Sequence, residues 1–363
     1  MDFSFTEEQQ MLRDGVAKYL EKTYDFDARQ KLVSSEDPWS REAWQQFAEF
    51  GLLALPFAEE KGGLGGTISD CVAVAELFGK HLVIEPYTAT TMLAGAALAA
   101  SSTPSAEGWL EKITTGEAVV AFAFEEGRGT AAPELVTMTA SGSGDGFALS
   151  GEKRMVVAGA HADALVVLAR KGDGGPVAFF LVESGAQGMY ARTYATVDGR
   201  SAANIRFDTV QAIELAGAAE AMDRIMANAI IVQCAEAVGA MGALLSMTAD
   251  YAMTRKQFGV PIATFQAVAH RLADMKIAYT KARATLLYTA ALAEAGAAGE
   301  RDIATLKGQV GKLGLALGEA AIQTHGGVGM TDELSVSHYH KHLLACDATF
   351  GDHGYHFRKL GQG

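Results

Sequence analysis

The sequence contains few of the residues that build covalent or metal-stabilised frameworks. Its 363 residues include three cysteines, Cys71, Cys234 and Cys346, which lie far apart and show no C-x-x-C spacing. An odd number of widely spaced cysteines is typical of reduced thiols and argues against a disulfide framework or a zinc site. We therefore expect a cytoplasmic protein without a metal centre.

Positive charge is also scarce. Thirty lysines and arginines stand against 43 aspartates and glutamates, which gives a formal net charge of −13 at pH 7. A surface of this sign repels the phosphates of DNA and RNA, so the composition excludes a general nucleic-acid-binding role. Any phosphate that the protein does bind must be met locally, by individual basic residues or by backbone N–H groups.

Membrane-targeting features are absent from the pattern as well. The first residues have neither a basic segment nor an apolar run, so no secretory signal is predicted. The most apolar stretch, Ala227–Leu245, contains Asn228, Gln233 and Glu236. These polar residues favour a helix buried inside the protein over a membrane span. The sequence therefore predicts no membrane insertion.

Three regions of different character follow one another along the chain. Residues 1–115 show helical periodicity, and Thr6 with Gln9 has the spacing of a capping box. Residues 116–217 contain short apolar or alternating runs separated by glycine-rich clusters, which is typical of a compact β-barrel or sandwich. Residues 218–363 become helical again. We predict an α+β multidomain fold with an N-terminal helical domain, a middle β-barrel and a C-terminal four-helix bundle.

Two segments of the C-terminal region suit an anionic, planar ligand. Thr254–Ile262 closes a long predicted helix and contains Arg255 and Phe258, while Gln323–Met330 ends another helix in a glycine-rich turn. Arginine offers a fork of donors to phosphate, phenylalanine an aromatic face, and glycine a close backbone approach. Each segment also has a purely structural interpretation, as a cation near a helix C-terminus and as a glycine C-cap.

Together these segments, Arg-Lys-Gln-Phe-Gly-Val-Pro-Ile followed by Phe-Gln and later Gln-Thr-His-Gly-Gly-Val-Gly-Met, resemble the acyl-CoA dehydrogenase family. The resemblance extends over essentially the whole chain and is nearest to a small-subunit branch linked to pimeloyl-CoA or steroid side-chain substrates. It implies noncovalent FAD, bound across an interface in a homotetramer or in a dimer of dimers with a related, larger chain. It assigns Arg255 to the FAD diphosphate, Phe258 to the adenine end, and Gln323, Gly326 and Gly327 to the same cofactor from the other side.

The same resemblance implies a reaction and its partners. The reaction is the α,β-desaturation of an acyl-CoA thioester, with electrons passed on to an electron-transfer flavoprotein. An α-proton of a thioester is weakly acidic, so the base that removes it must be close and partly desolvated. The flavin performs the redox step while the protein positions and tunes it.

The chain departs from the family pattern where that base belongs. Family members have a glutamate followed by glycine, and here the corresponding positions are His353 and Gly354. A second family position for the base falls on Ala229. Asp352 is the nearest carboxylate and is therefore the candidate catalytic residue. Two alternatives remain open: Asp352 caps a helix, a position that aspartate favours, or His353 acts as the base.

The positions that would contact the flavin ring differ too. Glu125 stands where the family has threonine, and Met155 and Val157 stand where it has tryptophan and threonine. A buried glutamate beside a flavin carbonyl is costly unless it is protonated or turned outward. The residues expected at the adenine and diphosphate end of FAD thus keep the family pattern, while those expected at the flavin ring do not.

Three functions are compatible with this asymmetry. The first is an active FAD-dependent acyl-CoA dehydrogenase. The second is a non-catalytic partner subunit, which contributes its anchoring segments to an FAD held chiefly by a related chain. The third is an acyl-CoA-binding protein without flavin.

Overall fold

The computed structural model describes residues 6–35, 38–127, 132–143 and 146–362. The first helix begins as the sequence predicts: Thr6 Oγ1 accepts from the backbone N–H of Gln9, and the Gln9 side chain accepts from the backbone N–H of Thr6, which completes a capping box. Val16 and Leu20 form the buried stripe of this helix. The helices of the N-terminal third are α1 Glu7–Thr23, α2 Phe26–Val33, α3 Arg41–Glu49, α4 Ile68–His81, a π-helix Thr88–Gly95 continued by α5 Ala96–Ala99, and α6 Pro104–Thr114.

The middle region is a β-barrel. Five of its strands pair in a closed ring, β4–β2–β3–β7–β5 and back to β4, while β1 adds to β4 and β6 adds to β7. Ring closure removes the free edges at which open sheets aggregate. The strands are β1 Val120–Ala123, β2 Thr139–Ser143, β3 Gly146–Val157, β4 Ala164–Lys171, β5 Val177–Glu183, β6 Met189–Ala195 and β7 Ser201–Glu214.

The C-terminal region is a helical bundle in which one helix packs against α8, α10 and α11. That helix, α9, carries glycines on its buried face, and their missing side chains let neighbouring helices approach. A short hairpin separates the first two bundle helices. The elements are α7 Met222–Thr254, β8 Lys256–Gln257, β9 Val260–Pro261, α8 Gln266–Glu294, α9 Glu300–His325, α10 Ser335–Ala348 and α11 His353–Gly361.

The long apolar helix of this region has the length and hydropathy of a membrane span. Within the described residues, 218–254 is the one stretch that passes this test, and 67% of its most apolar window is buried inside the protein. Burial against other parts of a protein is typical of a core helix. This agrees with the interpretation of Ala227–Leu245 as a buried helix.

Contacts between residues divide the chain into two compact units. The first comprises residues 1–31, 68–83 and 230–363, and the second comprises residues 32–67 and 84–229. The first unit holds most of the C-terminal bundle, and the second holds the barrel. The predicted order of helices, strands and helices is confirmed.

The local differences from the predicted elements have physical reasons. The apolar run Leu135–Ala140 is strand only from Thr139 on, where β2 begins, because Pro133 starts a short 3₁₀-helix that ends at Leu135. The run Met155–Ala158 belongs to the much longer strand β3, whose alternation is interrupted by register shifts. Strand β6 was not predicted, since most of its side chains are exposed and it has no apolar face.

Candidate functional site

A tight hairpin presents Phe258 to solvent. Helix α7 ends at Thr254, and β8 and β9 then pair through Lys256 with Pro261 and Gln257 with Val260. The two loop residues, Phe258 and Gly259, have φ of 53° and 83°, the left-handed pair that a two-residue hairpin turn requires. Phenylalanine rarely adopts positive φ, so this backbone is strained. As a result the Phe258 side chain is 92% exposed.

An aromatic stack joins this hairpin to the second predicted segment. The Tyr251 ring, one turn before Arg255, lies 4.3 Å from the His325 ring and nearly parallel to it. The Tyr251 hydroxyl also donates to the backbone carbonyl of His325 at 3.4 Å. His325 is buried and is followed directly by Gly326. The end of α7 and the end of α9 are therefore neighbours, which brings the two sequence motifs together.

The surface that results carries groups without protein partners. Arg255 is exposed, and in the part of the chain that the structure describes it forms no ion pair. Gly326 has φ of +68°, and a Cβ added to Gly326 or Gly327 would meet no atom within 4 Å. Gln323 is exposed on the last turn of α9. We call this set the anchoring surface: Arg255, Phe258, Gln323, Gly326 and Gly327.

The anchoring surface fits the phosphate and adenine portion of FAD. A guanidinium without a carboxylate partner can donate a bidentate pair of hydrogen bonds to a diphosphate. An aromatic ring at 92% exposure offers a face for stacking on adenine. The open glycine backbone allows close approach of a ligand. These donors and faces are of the type that the resemblance assigns to FAD.

A different set of residues lies at the edge of the barrel. The backbone carbonyl of Glu125 accepts from Arg154 N at 2.7 Å, which holds the segment after β1 against β3. Strand β3 is irregular between Lys153 and Val156, and Met155 at this bulge has φ of +53°. Its backbone N–H donates to the Tyr194 hydroxyl at 3.2 Å. The bulge thus leaves the Met155 side chain 41% exposed.

Glu125 has an unusual proton affinity for a carboxyl. Burial raises its pKa to about 7, because the charged form is poorly solvated. The neighbouring Tyr194 hydroxyl has its pKa raised, first by burial and also by the charge of Glu125. Glu125 is therefore partly protonated at neutral pH. Protonation is one of the two conditions under which a buried glutamate beside a flavin carbonyl is not costly.

The next residue, Glu126, is held very differently. Its carboxylate accepts from Lys153 Nζ at 2.7 Å, from the backbone N–H of Thr137 at 2.8 Å and from that of Met138 at 2.9 Å. Burial acts to raise its pKa, but the hydrogen bonds from Lys153 and Thr137 outweigh burial and lower it. Glu126 is thus ionised and structural, while Glu125 is the titrating member of this adjacent pair.

The positions proposed for the catalytic base are occupied as follows. Asp352 is exposed, and its carboxylate accepts from the backbone N–H of Tyr355 at 2.6 Å, as the N-cap of α11. His353 Nδ1 lies 2.9 Å from the carboxylate of the buried Asp347, which also accepts from His353 N at 3.0 Å. Ala229 is fully buried on α7. Asp352 therefore caps α11, and the two family positions hold His353 and Ala229 and no carboxylate.

Several residues that build these sites had no signal in the sequence. The stack of Tyr251 on His325 depends on the relative rotation of α7 and α9, which periodicity does not specify. Tyr194 lies on β6, the strand that the sequence did not predict. The Asp347 and His353 pair could have been found, since both flank the sharp turn at Phe350 and Gly351, where both φ values are positive.

We predict that Glu125→Gln removes a pH dependence of stability. Between the usual carboxyl value of 4.5 and the folded pKa of about 7, the native state holds a proton that the unfolded chain has lost. Stability therefore falls as pH rises through this window and is constant above it. The wild type should lose about 1–3 kcal/mol relative to the variant between pH 5 and pH 8. Urea unfolding of both proteins measures this.

The exposed Glu152 provides the control, since its carboxylate pairs with Arg154 at the surface. Glu152→Gln should leave the difference between pH 5 and pH 8 within about 0.5 kcal/mol of the wild type. If Glu125→Gln and the wild type change in parallel between the two pH values, the carboxyl of Glu125 does not titrate in this window.

The sequence is similar to known proteins over nearly its whole length. Residues 6–117, 121–210 and 216–362 match, in turn, the models of the N-terminal, middle and C-terminal domains of acyl-CoA dehydrogenases. The acyl-CoA dehydrogenase FadE27 of Mycobacterium tuberculosis is 29% identical over 360 residues, covering 96% of this chain and 94% of FadE27. The match therefore extends over nearly the whole length of both proteins.

Solved structures of similar sequence have the same fold. A chain of the ChsE4–ChsE5 complex from Mycobacterium tuberculosis is 28% identical with a TM-score of 0.91, and the match covers 100% of this chain and 98% of that one. A Tcur3481–Tcur3483 steroid ACAD variant is 29% identical with a TM-score of 0.90, covering 98% and 97%. The first of these two names denotes a complex.

Proposed function

Because the chain belongs to the acyl-CoA dehydrogenase family, whose members are FAD-dependent oxidoreductases, we propose that it takes part in the α,β-desaturation of an acyl-CoA thioester. In this proposal the electrons pass to an electron-transfer flavoprotein, and the protein works in the cytoplasm as an oligomer. FAD, when bound, accepts the hydride that leaves the β-carbon. The observation that carries the proposal is the stack of Tyr251 on His325, which makes the segment of Arg255 and Phe258 a neighbour of the open turn at Gly326 and Gly327.

The chain's own residues have distinct tasks in this proposal. Arg255 neutralises and orients the diphosphate, and Gln323 with the backbone of Gly326 and Gly327 approaches the cofactor from the other helix. The ring of Phe258 covers the adenine. These contacts fix the cofactor's position and supply binding energy, but they do not act on the thioester. The acyl group is not specified by any of them.

A second candidate is favoured by the positions where a base is expected. The chain has alanine and histidine at those positions, and the carboxylate of Asp352 caps α11. We therefore propose, as the alternative, that the chain is the non-catalytic partner of a larger acyl-CoA dehydrogenase subunit, which supplies the glutamate. In that assembly this chain provides the anchoring surface to a shared FAD.

The visible spectrum of the purified chain separates the two. A yellow protein whose absorbance near 450 nm is bleached by acyl-CoA without air supports a self-sufficient enzyme. A colourless chain that becomes yellow and active only with a related larger subunit supports the partner role. A chain that stays colourless in both cases, yet binds acyl-CoA in calorimetry, contradicts both and is the flavin-free acyl-CoA-binding protein.

We expect Asp352→Asn to leave the rate of flavin reduction by acyl-CoA unchanged in the FAD-containing assembly. Asparagine caps a helix nearly as well as aspartate, so stability should also be retained, whereas Asp352→Ala should cost about 1 kcal/mol. Stopped-flow absorbance measures the rate. Losing a general base lowers a rate by about 10² to 10⁴-fold. A fall of that size in Asp352→Asn, with stability retained, would make Asp352 the base.

A further inference from the structure

The second unit contains a cavity of about 390 Å³ beside the first turns of α7. This volume is within the range of small-molecule sites. Its wall is formed by the loop after α3, by the π-helix with α5, and by α7. Gly95 makes room for this wall, because a Cβ there would lie 2.7 Å from the Phe57 ring. We call it the α5–α7 cavity, and its apolar part includes Phe57, Met92, Ala96 and Ile225.

Thr91 brings an unsatisfied hydroxyl to this cavity. Elsewhere in the helices, threonines such as Thr248 and Thr280 donate to the carbonyl four residues earlier, at 2.6 and 2.8 Å. Thr91 lies in the π-helix, whose wider turn changes this spacing. Its side chain is fully buried, and its Oγ1 has no hydrogen-bond partner within the described residues. Because a buried hydroxyl without a partner is costly, a ligand oxygen that accepts from Thr91 is favoured here.

Two polar side chains of α7 join the lining from one face of the helix. Arg224 and Asn228 are four residues apart and therefore lie one above the other. In the part of the chain that the structure describes, neither side chain has a hydrogen-bond or ion-pair partner. The neighbouring Asp223 lies outside the lining, since consecutive residues of a helix point in different directions. A guanidinium with an amide donor one turn away matches a carboxylate, which accepts from both.

The other charges around the cavity are balanced. Lys61, the second cation of the lining, is paired with Glu107 at 3.2 Å. Among the described residues, the lining contains no aspartate or glutamate. The lining therefore suits a ligand that combines an apolar chain with an acceptor oxygen and a single carboxylate.

The cavity lies next to a position that matters for the proposed function. Asn228 is followed directly by Ala229, the second position at which the family places its base. Arg224 precedes Ala229 by about 7.5 Å along the helix axis. An acyl group whose reacting carbons lie near Ala229 therefore extends by only a few carbons before it reaches Arg224.

We propose that the α5–α7 cavity receives the acyl group of the substrate and selects a short acyl chain that ends in a carboxylate, an inference that rests on the proposed function. Arg224 and Asn228 bind the carboxylate. Phe57 and Met92 contact the chain, and Thr91 donates to an oxygen of the same ligand.

Calorimetry on the full-length chain tests the site with monomethyl adipate, whose ester and carboxylate stand for the thioester and the free end of the acyl group. Dimethyl adipate has the same chain without the charge and should bind at least about tenfold more weakly. Absence of heat from monomethyl adipate at millimolar concentration, or equal affinity for the two esters, overturns the proposal. The measurement needs neither flavin nor turnover, so its outcome is independent of the proposed function.

Variants locate the binding. Arg224→Ala should weaken monomethyl adipate by about tenfold and leave dimethyl adipate unchanged, since only the carboxylate uses the guanidinium. Thr91→Val should weaken both esters by about threefold to tenfold and keep the unfolding temperature, because the hydroxyl has no protein partner among the described residues. Arg192→Ala, at an exposed arginine of β6 outside the lining, is the matched control and should change neither affinity. Equal losses in Arg224→Ala and Arg192→Ala, or unchanged binding in Arg224→Ala, contradict the proposal.

Flavin reduction tests the assignment to the substrate. In the FAD-containing assembly, kcat/KM for adipyl-CoA should be at least about tenfold higher than for hexanoyl-CoA, which has the same chain length without the carboxylate, and Arg224→Ala should remove this preference. Equal reduction by the two, or preference for hexanoyl-CoA, overturns the inference and leaves the proposed function intact. An assembly that no acyl-CoA reduces contradicts the proposed function instead. The assignment to the acyl group then fails with it, while calorimetry still decides whether the cavity binds the carboxylate.

Discussion

Replacing Glu126 with alanine is expected to lower the free energy of unfolding by about 3–5 kcal/mol, because it leaves a buried charge without its partner. The side chain of Lys153 is fully buried, and its Nζ donates to the Glu126 carboxylate at 2.7 Å and to the Phe124 carbonyl at 3.2 Å. Burial lowers the Lys153 pKa to about 8, although Glu126 acts to raise it. The lysine therefore still carries its charge at pH 7. Chemical unfolding at pH 7 measures the loss.

The loss extends beyond the ion pair. Glu126 also accepts the backbone N–H groups of Thr137 and Met138, which lead into β2. Without the carboxylate these two donors lose their partner as well. The exposed N–H of Thr137 can turn to water, but that of the buried Met138 is left unsatisfied, and an unsatisfied buried donor costs about 1–3 kcal/mol. Glu126→Gln keeps acceptors for some of these bonds, so it should be less damaging than alanine. It serves as the measurable variant if Glu126→Ala does not fold.

The exposed pair of Glu152 and Arg154 on the same strand is the matched control. Its atoms are 3.4 Å apart, and both side chains are about half exposed, 45% and 51%. Glu152→Ala should cost less than about 1 kcal/mol, as surface ion pairs do. A double variant, Glu126→Met with Lys153→Met, should recover much of the single-variant loss, because no charge is left buried. Equal costs for Glu126→Ala and Glu152→Ala would show that burial of Lys153 is not what makes the pair important.

The order of the three regions could be predicted from the sequence because it depends on local periodicity. The capping box at Thr6 and Gln9 involves residues three apart, so its signal is contained within one turn. Strand β6 gave no such signal, because its side chains are mostly exposed and its place in the barrel comes from its pairing with β7. Long-range pairing of this kind is not encoded in the pattern of a single strand.

The candidate site was predictable to the extent that it depends on residue type. Arg255, Phe258 and the glycines at 326 and 327 were recognisable from chemistry that suits an anionic ligand. Their proximity was not, since it rests on the Tyr251–His325 stack between two helices far apart in sequence. In the same way, the sequence located Glu125, but its pKa of about 7 follows from burial in the folded barrel. Whether a polar residue is buried or exposed is decided by the tertiary fold.

Arg255→Ala is expected to weaken FAD binding by about tenfold to a hundredfold, while Lys256→Ala leaves it nearly unchanged. A charge-assisted hydrogen bond contributes about 1.5–3 kcal/mol, and a guanidinium can direct two of them at a diphosphate. Lys256 is the adjacent residue and carries the same charge, but it belongs to β8, where it pairs with Pro261. The two variants therefore remove equal charge from neighbouring positions, and they differ in whether the group belongs to the anchoring surface.

The measurement is flavin content after gel filtration, followed by titration of the apoprotein with FAD, in whichever assembly binds the cofactor. Arg255→Lys separates charge from geometry: lysine keeps the charge but not the planar fork, so it should recover only part of the affinity. Circular dichroism should show unchanged helix content, because the Arg255 side chain is exposed and has no ion pair within the described residues. Raising the salt concentration should reduce the difference between Arg255→Ala and the wild type, since screening weakens an exposed charge contact. If Arg255→Ala and Lys256→Ala retain the same amount of FAD at every salt concentration, Arg255 does not contact the diphosphate, and the anchoring surface must serve another ligand or a protein interface.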